Sequence, residues 1–222
     1  MLVIVSGIGA VAYFQSTLTA LLVEGTVGQA FWRKRMKKEI DALEGHVVVA
    51  GIGSTGRYVV EELHATGTPF VVIDRSVEHL ARLREELGGT MLYVHGDATE
   101  DHTLLTAGVD RASGVIAALT TDKDNLFVTL SARSINPRAR IVSKVIEAEA
   151  TPKMARAGAN ATVSPNQIGG RRMASELVRP EVVEFLDQML RDKDQNLRLE
   201  EILVPDGCPY VGKMLRDVPI RR

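Results

Sequence analysis

His46 to Asp74 reads HVVVAGIGSTGRYVVEELHATGTPFVVID, and this stretch decides the fold. An apolar run from Val47 to Ala50 stops at Gly51-Ile52-Gly53-Ser54-Thr55-Gly56. An amphipathic segment follows, and a second apolar run, Phe70 to Ile73, closes on Asp74. The order is strand, glycine turn, helix, strand, acid. Each part suits a nucleotide. Gly51 permits a tight turn, Gly53 lets backbone approach a pyrophosphate, and Gly56 lets the helix pack on the strand, while the helix start offers free N–H groups and the positive end of its dipole. Asp74 falls about 20 residues beyond the glycines, where a carboxylate at the tip of the second strand accepts ribose hydroxyls. A glycine turn alone is a weak signal, and the bland reading is a βα turn that binds nothing. Its place between two buried-strand patterns, with an acid closing the second, makes it much stronger.

Downstream the alternation continues. A helix from Ser76 or Glu78 to Leu87 ends at Gly88-Gly89, and a third apolar run, Met91 to Val94, closes on His95-Gly96-Asp97-Ala98-Thr99. A short helix around Leu104 to Ala107 precedes a fourth strand, Gly114 to Leu119, which ends in Thr120-Thr121-Asp122. The pattern then gives a helix over Asp124–Arg133, a fifth strand over Arg140–Val145, a helix over Glu147–Ala157 and a short sixth strand over Ala161–Val163. Strand–helix alternation with short loops means a parallel sheet covered on both faces, with ligands outside the carboxyl ends of the strands. Asp74, Asp97 and Thr121-Asp122 all fall at such ends and converge on one crevice. Asn166–Leu177 and Pro180–Leu190 read as two helices split by Arg179-Pro180. The apolar surface of the second, Val182, Val183, Phe185, Leu186, Met189 and Leu190, packs either on another subunit or on its own domain.

Upstream, Leu2 to Val23 carries no charged side chain, and about 20 apolar residues suffice to span a bilayer. Arg33, Lys34, Arg35, Lys37 and Lys38 follow it, so the positive-inside rule places the remainder in the cytoplasm. The polar end at Gln15, Ser16, Thr17 and Thr19 suits a helix facing other helices or a pore, and the alternative is a buried helix of a soluble protein. Glu24 to Gly45 reads as a charged linker helix with an apolar stripe at Phe31, Trp32, Met36, Ile40 and Leu43. Its basic run either touches anionic headgroups or is simply solvated.

Composition narrows the class. A net charge of −1 and 5% aromatics argue against a nucleic-acid partner. A single cysteine, Cys208, rules out an intrachain disulfide framework or a cysteine-based metal site and fits a reducing compartment. Glu100, Asp101, Asp122 and Asp124 are oxygen donors of the kind calcium or magnesium takes, but without the spacing of an EF-hand loop they define no metal site.

From about Gly45 to Leu190 the chain resembles the RCK domain, the regulator of potassium conductance shared by ligand-gated prokaryotic potassium channels and Trk-type uptake regulators. The resemblance runs through VVVAGIGSTGRYVVEEL, FVVID, VHGDAT, ALTTDKDN and SPNQIGGRRMASELVRPEVVEFLDQML, and the last two stretches are not general features of dinucleotide enzymes. It implies five parts. Residues 1–23 would be the inner, pore-lining transmembrane helix and 24–45 its linker, followed by a Rossmann-like doubly wound sheet of about six strands over 46–165. A helical crossover for dimerisation would occupy 166–192, and the start of a C-terminal ligand subdomain 193–222. The implied protein is a cytoplasmic gating module anchored in the plasma membrane. It assembles as a dimer within a tetrameric channel or octameric ring, and senses NAD, NADH, ADP or ATP, in some members with a divalent cation. In the implied site Gly51, Ile52, Gly53, Ser54, Thr55 and Gly56 cradle phosphates and Asp74 holds ribose. Arg75 lies along the adenine, Asp97, Ala98 and Thr99 line the base side, and Thr121, Asp122 and Asn125 face the far end. Lys144 either reaches a phosphate or is an exposed rim charge.

No filter sequence of the TVGYG kind precedes the apolar helix, so these 222 residues alone are not expected to conduct potassium. The chain is expected to be a fragment that begins inside a channel, which its abrupt C-terminus favours, or else a regulatory subunit beside a separate pore. Two alternative functions remain. One is the NAD-binding subunit of a Trk-type uptake system. The other is an NAD-dependent oxidoreductase, which needs a substrate domain and an acid–base group near the nicotinamide. Of the five histidines only His95 stands at a strand tip, and no orienting partner motif accompanies it.

Overall fold

β-branched runs buried on both faces build the sheet. In the computed structural model the described residues are 26–191, so the expected membrane helix over 1–23 and the expected C-terminal subdomain over 193–222 lie outside them. A helix α1 (Thr26–Asp41) leads into β1 (Val47–Ala50), α2 (Ser54–Ala65), β2 (Phe70–Asp74), α3 (Val77–Glu86) and β3 (Leu92–His95). The second half runs through α4 (Asp101–Thr106), β4 (Gly114–Ala117), α5 (Asp122–Ile135), β5 (Arg140–Lys144), α6 (Thr151–Arg156) and β6 (Ala161–Val163). Helices α7 (Pro165–Val178) and α8 (Pro180–Arg191) follow. Among the described residues no helix is long and apolar enough to cross a membrane.

All six strands are parallel, in the order β3-β2-β1-β4-β5-β6. Val48, Val49, Ala50, Val71, Val72 and Ile73 are fully buried, as a parallel sheet clad on both faces requires. On one face Val49 and Val72 pack with Val60 of α2 and Leu80 and Leu83 of α3. On the other, Val48, Val71, Val115 and Ile141 pack with Met36 and Ile40 of α1, Leu104 of α4, and Val128 and Ala132 of α5. Met36 and Ile40, four residues apart, thus seal the linker helix onto the sheet, each worth about 1.5–3 kcal/mol of burial. The strand order reverses direction between β1 and β4, which puts the ligand crevice of such a sheet at the carboxyl end of β1.

Two differences from expectation have a local physical cause. The helix expected over Glu147–Ala157 is a 3₁₀ turn, Ala148–Ala150, followed by α6. Pro152 has no N–H to continue an upstream helix but suits a helix's first turn, so the helix restarts there. The fourth strand ends at Ala117 rather than Leu119, because the Leu119 N–H is taken by Asn125 Oδ1 at 2.8 Å instead of a ladder carbonyl. The described residues fall into two compact units that divide after Ile168. In the second, Met173, Leu177, Val178, Val182 and Phe185 are exposed and Val183 is buried.

Candidate functional site

The glycine turn is shaped by what cannot fit there. Gly51 sits at φ +91°, and a Cβ on it would lie 2.8 Å from Leu119 Cδ2 and 3.1 Å from the Ala118 carbonyl oxygen. A Cβ on Gly56 would come within 1.8 Å of the Gly51 carbonyl oxygen, so α2 lies directly against the turn. Gly53 differs. It is the N-cap of α2, and a Cβ there would meet nothing within 4 Å. Gly53 supplies no side-chain cap, so the first-turn N–H groups of Ser54, Thr55 and Gly56 carry the positive end of the helix dipole at this corner without one. The structure therefore fits a nucleotide's phosphates at this corner.

Asp74 stands across from it at the tip of β2. Its Oδ2 accepts the Ile52 N–H at 2.9 Å and its Oδ1 the Ser76 N–H at 2.8 Å. The carboxylate is thereby held rigidly, with a second lone pair on each oxygen left for ribose hydroxyls. Ser76, which caps α3 by accepting the His79 N–H at 3.1 Å, thus also braces Asp74, where sequence reading used it only as a helix start.

The tips of β2 and β3 are joined by an ion pair between Arg75 and Asp97. Asp97 Oδ1 also accepts the Thr99 N–H at 2.9 Å and the Thr99 hydroxyl at 2.7 Å. Partial burial pushes the Asp97 carboxyl up, but the two Thr99 bonds and Arg75 together outweigh it and hold the group below the usual carboxylate range. Ala98 is buried beside it and offers only backbone. His95 Nε2 donates to the Arg75 carbonyl at 3.0 Å, which positions the loop that carries Arg75.

At the far end the structure assigns distinct places to the four residues. Thr121 caps α5, accepting the Asp124 N–H at 3.0 Å. Asp122 accepts the Ile146 N–H at 2.8 Å and the Glu147 N–H at 2.9 Å, which pins the loop after β5. Asn125 is fully buried, and its amide clamps backbone: Oδ1 accepts from Leu119, while Nδ2 donates to the Leu119 carbonyl (3.3 Å) and the Lys144 carbonyl (3.1 Å). Both amide hydrogens are used, so Asn125 holds the strand tips and turns no N–H toward the crevice. Lys144 is half-buried, and burial lowers its ammonium's pKa while Asp122 pulls it back up, so an added anion beside it would be favoured.

Sequence reading also missed the outer wall of the glycine corner. A cavity of about 230 Å³ runs from Ile52, Gly53 and Ser54 between α2 and α3, lined by Arg57, His79, Arg82 and Glu86. Arg57 bridges the two helices through Glu86 at 3.0 Å and also pairs with Glu61 at 2.8 Å. Only the positions one turn apart on each helix signal this. Among the described residues no group of three or more His, Cys, Asp or Glu side chains is placed to hold a metal ion.

A doubly wound parallel sheet, a bare glycine N-cap at its switch point and a fixed acid on the neighbouring strand define a Rossmann-type nucleotide-binding domain. The chain belongs to the TrkA-N domain family, which matches residues 47–165. It is 36% identical over 219 residues to "Probable potassium channel protein 2" of Methanocaldococcus jannaschii, an alignment that covers 97% of this chain and 64% of that protein. The chain therefore spans just under two thirds of that relative's length. Among solved structures, the TrkA-N domain of inner membrane protein ybaL from Escherichia coli superposes with a TM-score of 0.57 at 25% identity, covering 61% of this chain and 98% of that one. The GsuK channel bound to NAD superposes with a TM-score of 0.53 at 30% identity, covering 59% of this chain and 23% of that one.

Proposed function

We propose that this chain is the nucleotide-sensing cytoplasmic gating module of a potassium channel. NAD, NADH, ADP or ATP binds at the glycine corner and biases the position of the linker helix that leads to a membrane-spanning segment at residues 1–23. The observation that carries this is the open N-cap at Gly53 facing a carboxylate, Asp74, that two backbone N–H groups already hold in place. Family membership and the channel names of its relatives support the potassium context. Residues 46–165 are the sensor. Residues 166–192 pair with a second copy, which the exposed Val182 and Phe185 on α8 favour, and such pairs build the tetrameric or octameric ring.

In this role the chain's own residues bind and transmit, and they carry out no chemistry. The first-turn N–H groups of α2 take the phosphates, Asp74 takes the ribose and Lys144 lies ready for further negative charge. The His95 ring, which an oxidoreductase would need as acid or base, is tied to the Arg75 carbonyl. A ligand shifts such a gate only by its preference for one state, and couplings of this kind are about 1–3 kcal/mol per site.

Isothermal calorimetry of the full chain against NAD, NADH, ADP and ATP tests the reading. Saturable binding of at least one, weakened by Asp74→Ala, is expected. Failure of all four to bind would sink it.

A further inference from the structure

Helix α5 begins at the crevice and ends against the turn that grips the linker helix. Its N-terminal end carries Thr121, Asp122 and the buried Asn125, which ties the tips of β4 and β5 together. Fourteen residues later, about 20 Å along a rigid rod, its C-cap is Asn136. That side chain is nearly buried and fully used. Its Nδ2 donates to the Val109 carbonyl at 2.9 Å and the Ala112 carbonyl at 3.0 Å, and its Oδ1 accepts the Arg138 and Ala139 N–H groups, each at 3.1 Å.

The 3₁₀ turn so held, Val109–Arg111, presents Arg111 to α1. The guanidinium donates through Nε to the Leu43 carbonyl at 2.9 Å and through Nη2 to the Ile40 carbonyl at 3.0 Å, while the Arg111 carbonyl accepts the Gly45 N–H at 3.0 Å. The Ile40 carbonyl lies in the last turn of α1, where orphaned acceptors and the negative end of the dipole favour a cation, and the Leu43 carbonyl lies two residues past the helix's end.

From this unbroken series of bonds we propose that nucleotide binding is transmitted to the linker helix through α5, with Asn136 and Arg111 as its two clasps. Arg111 is the positioning residue that fixes α1 against the sensor. This rests on the nucleotide-sensing role proposed above. The apolar seating of Met36 and Ile40 holds α1 down, but hydrophobic contact is non-directional and lets a helix roll. A planar fork bonded to the last turn of α1 and to the segment just past it does not. Movement at the strand tips that shifts α5 therefore turns α1 rather than slipping beneath it.

Amide hydrogen exchange of the full chain, with and without saturating NAD, separates the possibilities. In the wild type, exchange across 34–44 and across 109–112 is expected to change together, by about fivefold or more. Arg111→Lys keeps the charge and loses the fork; Asn136→Asp keeps the acceptor and loses both donors. Each is expected to bind NAD much as the wild type does while the NAD-dependent change across 34–44 disappears. Were the clasps merely structural, exchange across 34–44 would rise in both variants with and without NAD and the ratio between the two states would persist, which overturns the proposal. A wild type that responds at 34–44 with 109–112 silent, or binds NAD with neither segment responding, also overturns it. A wild type that binds none of the four nucleotides removes the sensing role itself, and this route with it.

Discussion

Asp74 Oδ2 accepts the Ile52 N–H at 2.9 Å, so the tip of the second strand is tied to the glycine turn of the first before any ribose arrives. On the proposed reading the acid orders the glycine turn as well as holding the sugar. Asp74→Asn keeps an acceptor for one of the two backbone N–H groups but removes the charge. Losing a charge-assisted bond to ribose is worth about 1.5–3 kcal/mol, so NAD or ADP affinity should fall about 10- to 100-fold. Calorimetry reads the affinity, and a thermal melt checks that the domain remains folded. Equal affinity in variant and wild type would remove Asp74 from the site.

Gly53 and Gly56 should respond oppositely to the same substitution. Gly56→Ala drives a Cβ to within 1.8 Å of the Gly51 carbonyl oxygen, a backbone atom that cannot step aside, and should cost more than about 3 kcal/mol or prevent folding. Gly53→Ala places its methyl in open space on a backbone at φ −63° that any residue adopts, so stability should change by no more than about 1 kcal/mol. The methyl then stands where phosphate approaches the helix start, and nucleotide binding should be lost. Urea denaturation and calorimetry on the two variants test the pair. A Gly53→Ala protein that binds normally would mean that phosphates do not lie on this corner.

Asp97 adds a dependence on acid. Its carboxyl is held below the ordinary range, so the folded protein prefers it ionised. The stabilisation is complete above the unfolded value of about 3.9 and is lost as pH falls through the lower folded value. The melting temperature of the wild type should therefore fall more steeply than that of Asp97→Asn as pH drops from about 5 to 2, because the variant has no carboxyl to titrate. The effect should be modest, since Arg75, its ionic partner, is 65% exposed and screened. Parallel melting curves over that range would contradict the assignment.

The sheet and the glycine turn were legible because their signals are local. Four apolar residues and a glycine turn suffice to read β1, and Asp74 closes β2 in the same stretch. The destination of Asn125 was not legible. A polar residue one turn into a helix at a strand tip looks like a ligand contact, and only the fold reveals that the carbonyls of Leu119 and Lys144 converge on its amide from two strands. Arg111 was invisible for the same reason, since its partners Leu43 and Ile40 lie 68 and 71 residues away. Ser76 and Arg57 were in plain view, but their roles depend on Asp74 and on Glu86 of a neighbouring helix.

Asn125 provides the sharpest separation of scaffold from ligand contact. Asn125→Leu has nearly the same volume and no polar atoms, so it leaves the Leu119 N–H, the Leu119 carbonyl and the Lys144 carbonyl without their present partners. Buried backbone groups stripped of a bond cost about 1–3 kcal/mol each, and since these three are partly buried and gain some relief from water, the loss should be about 3 kcal/mol of folding stability. A residue whose main task was to touch nucleotide would instead weaken binding and leave the apo protein as stable as before. Chemical denaturation of the nucleotide-free variant decides between them: a midpoint equal to that of the wild type would return Asn125 to the binding surface, and a large fall would fix it as the clamp that sets the spacing of β4 and β5 at the crevice floor.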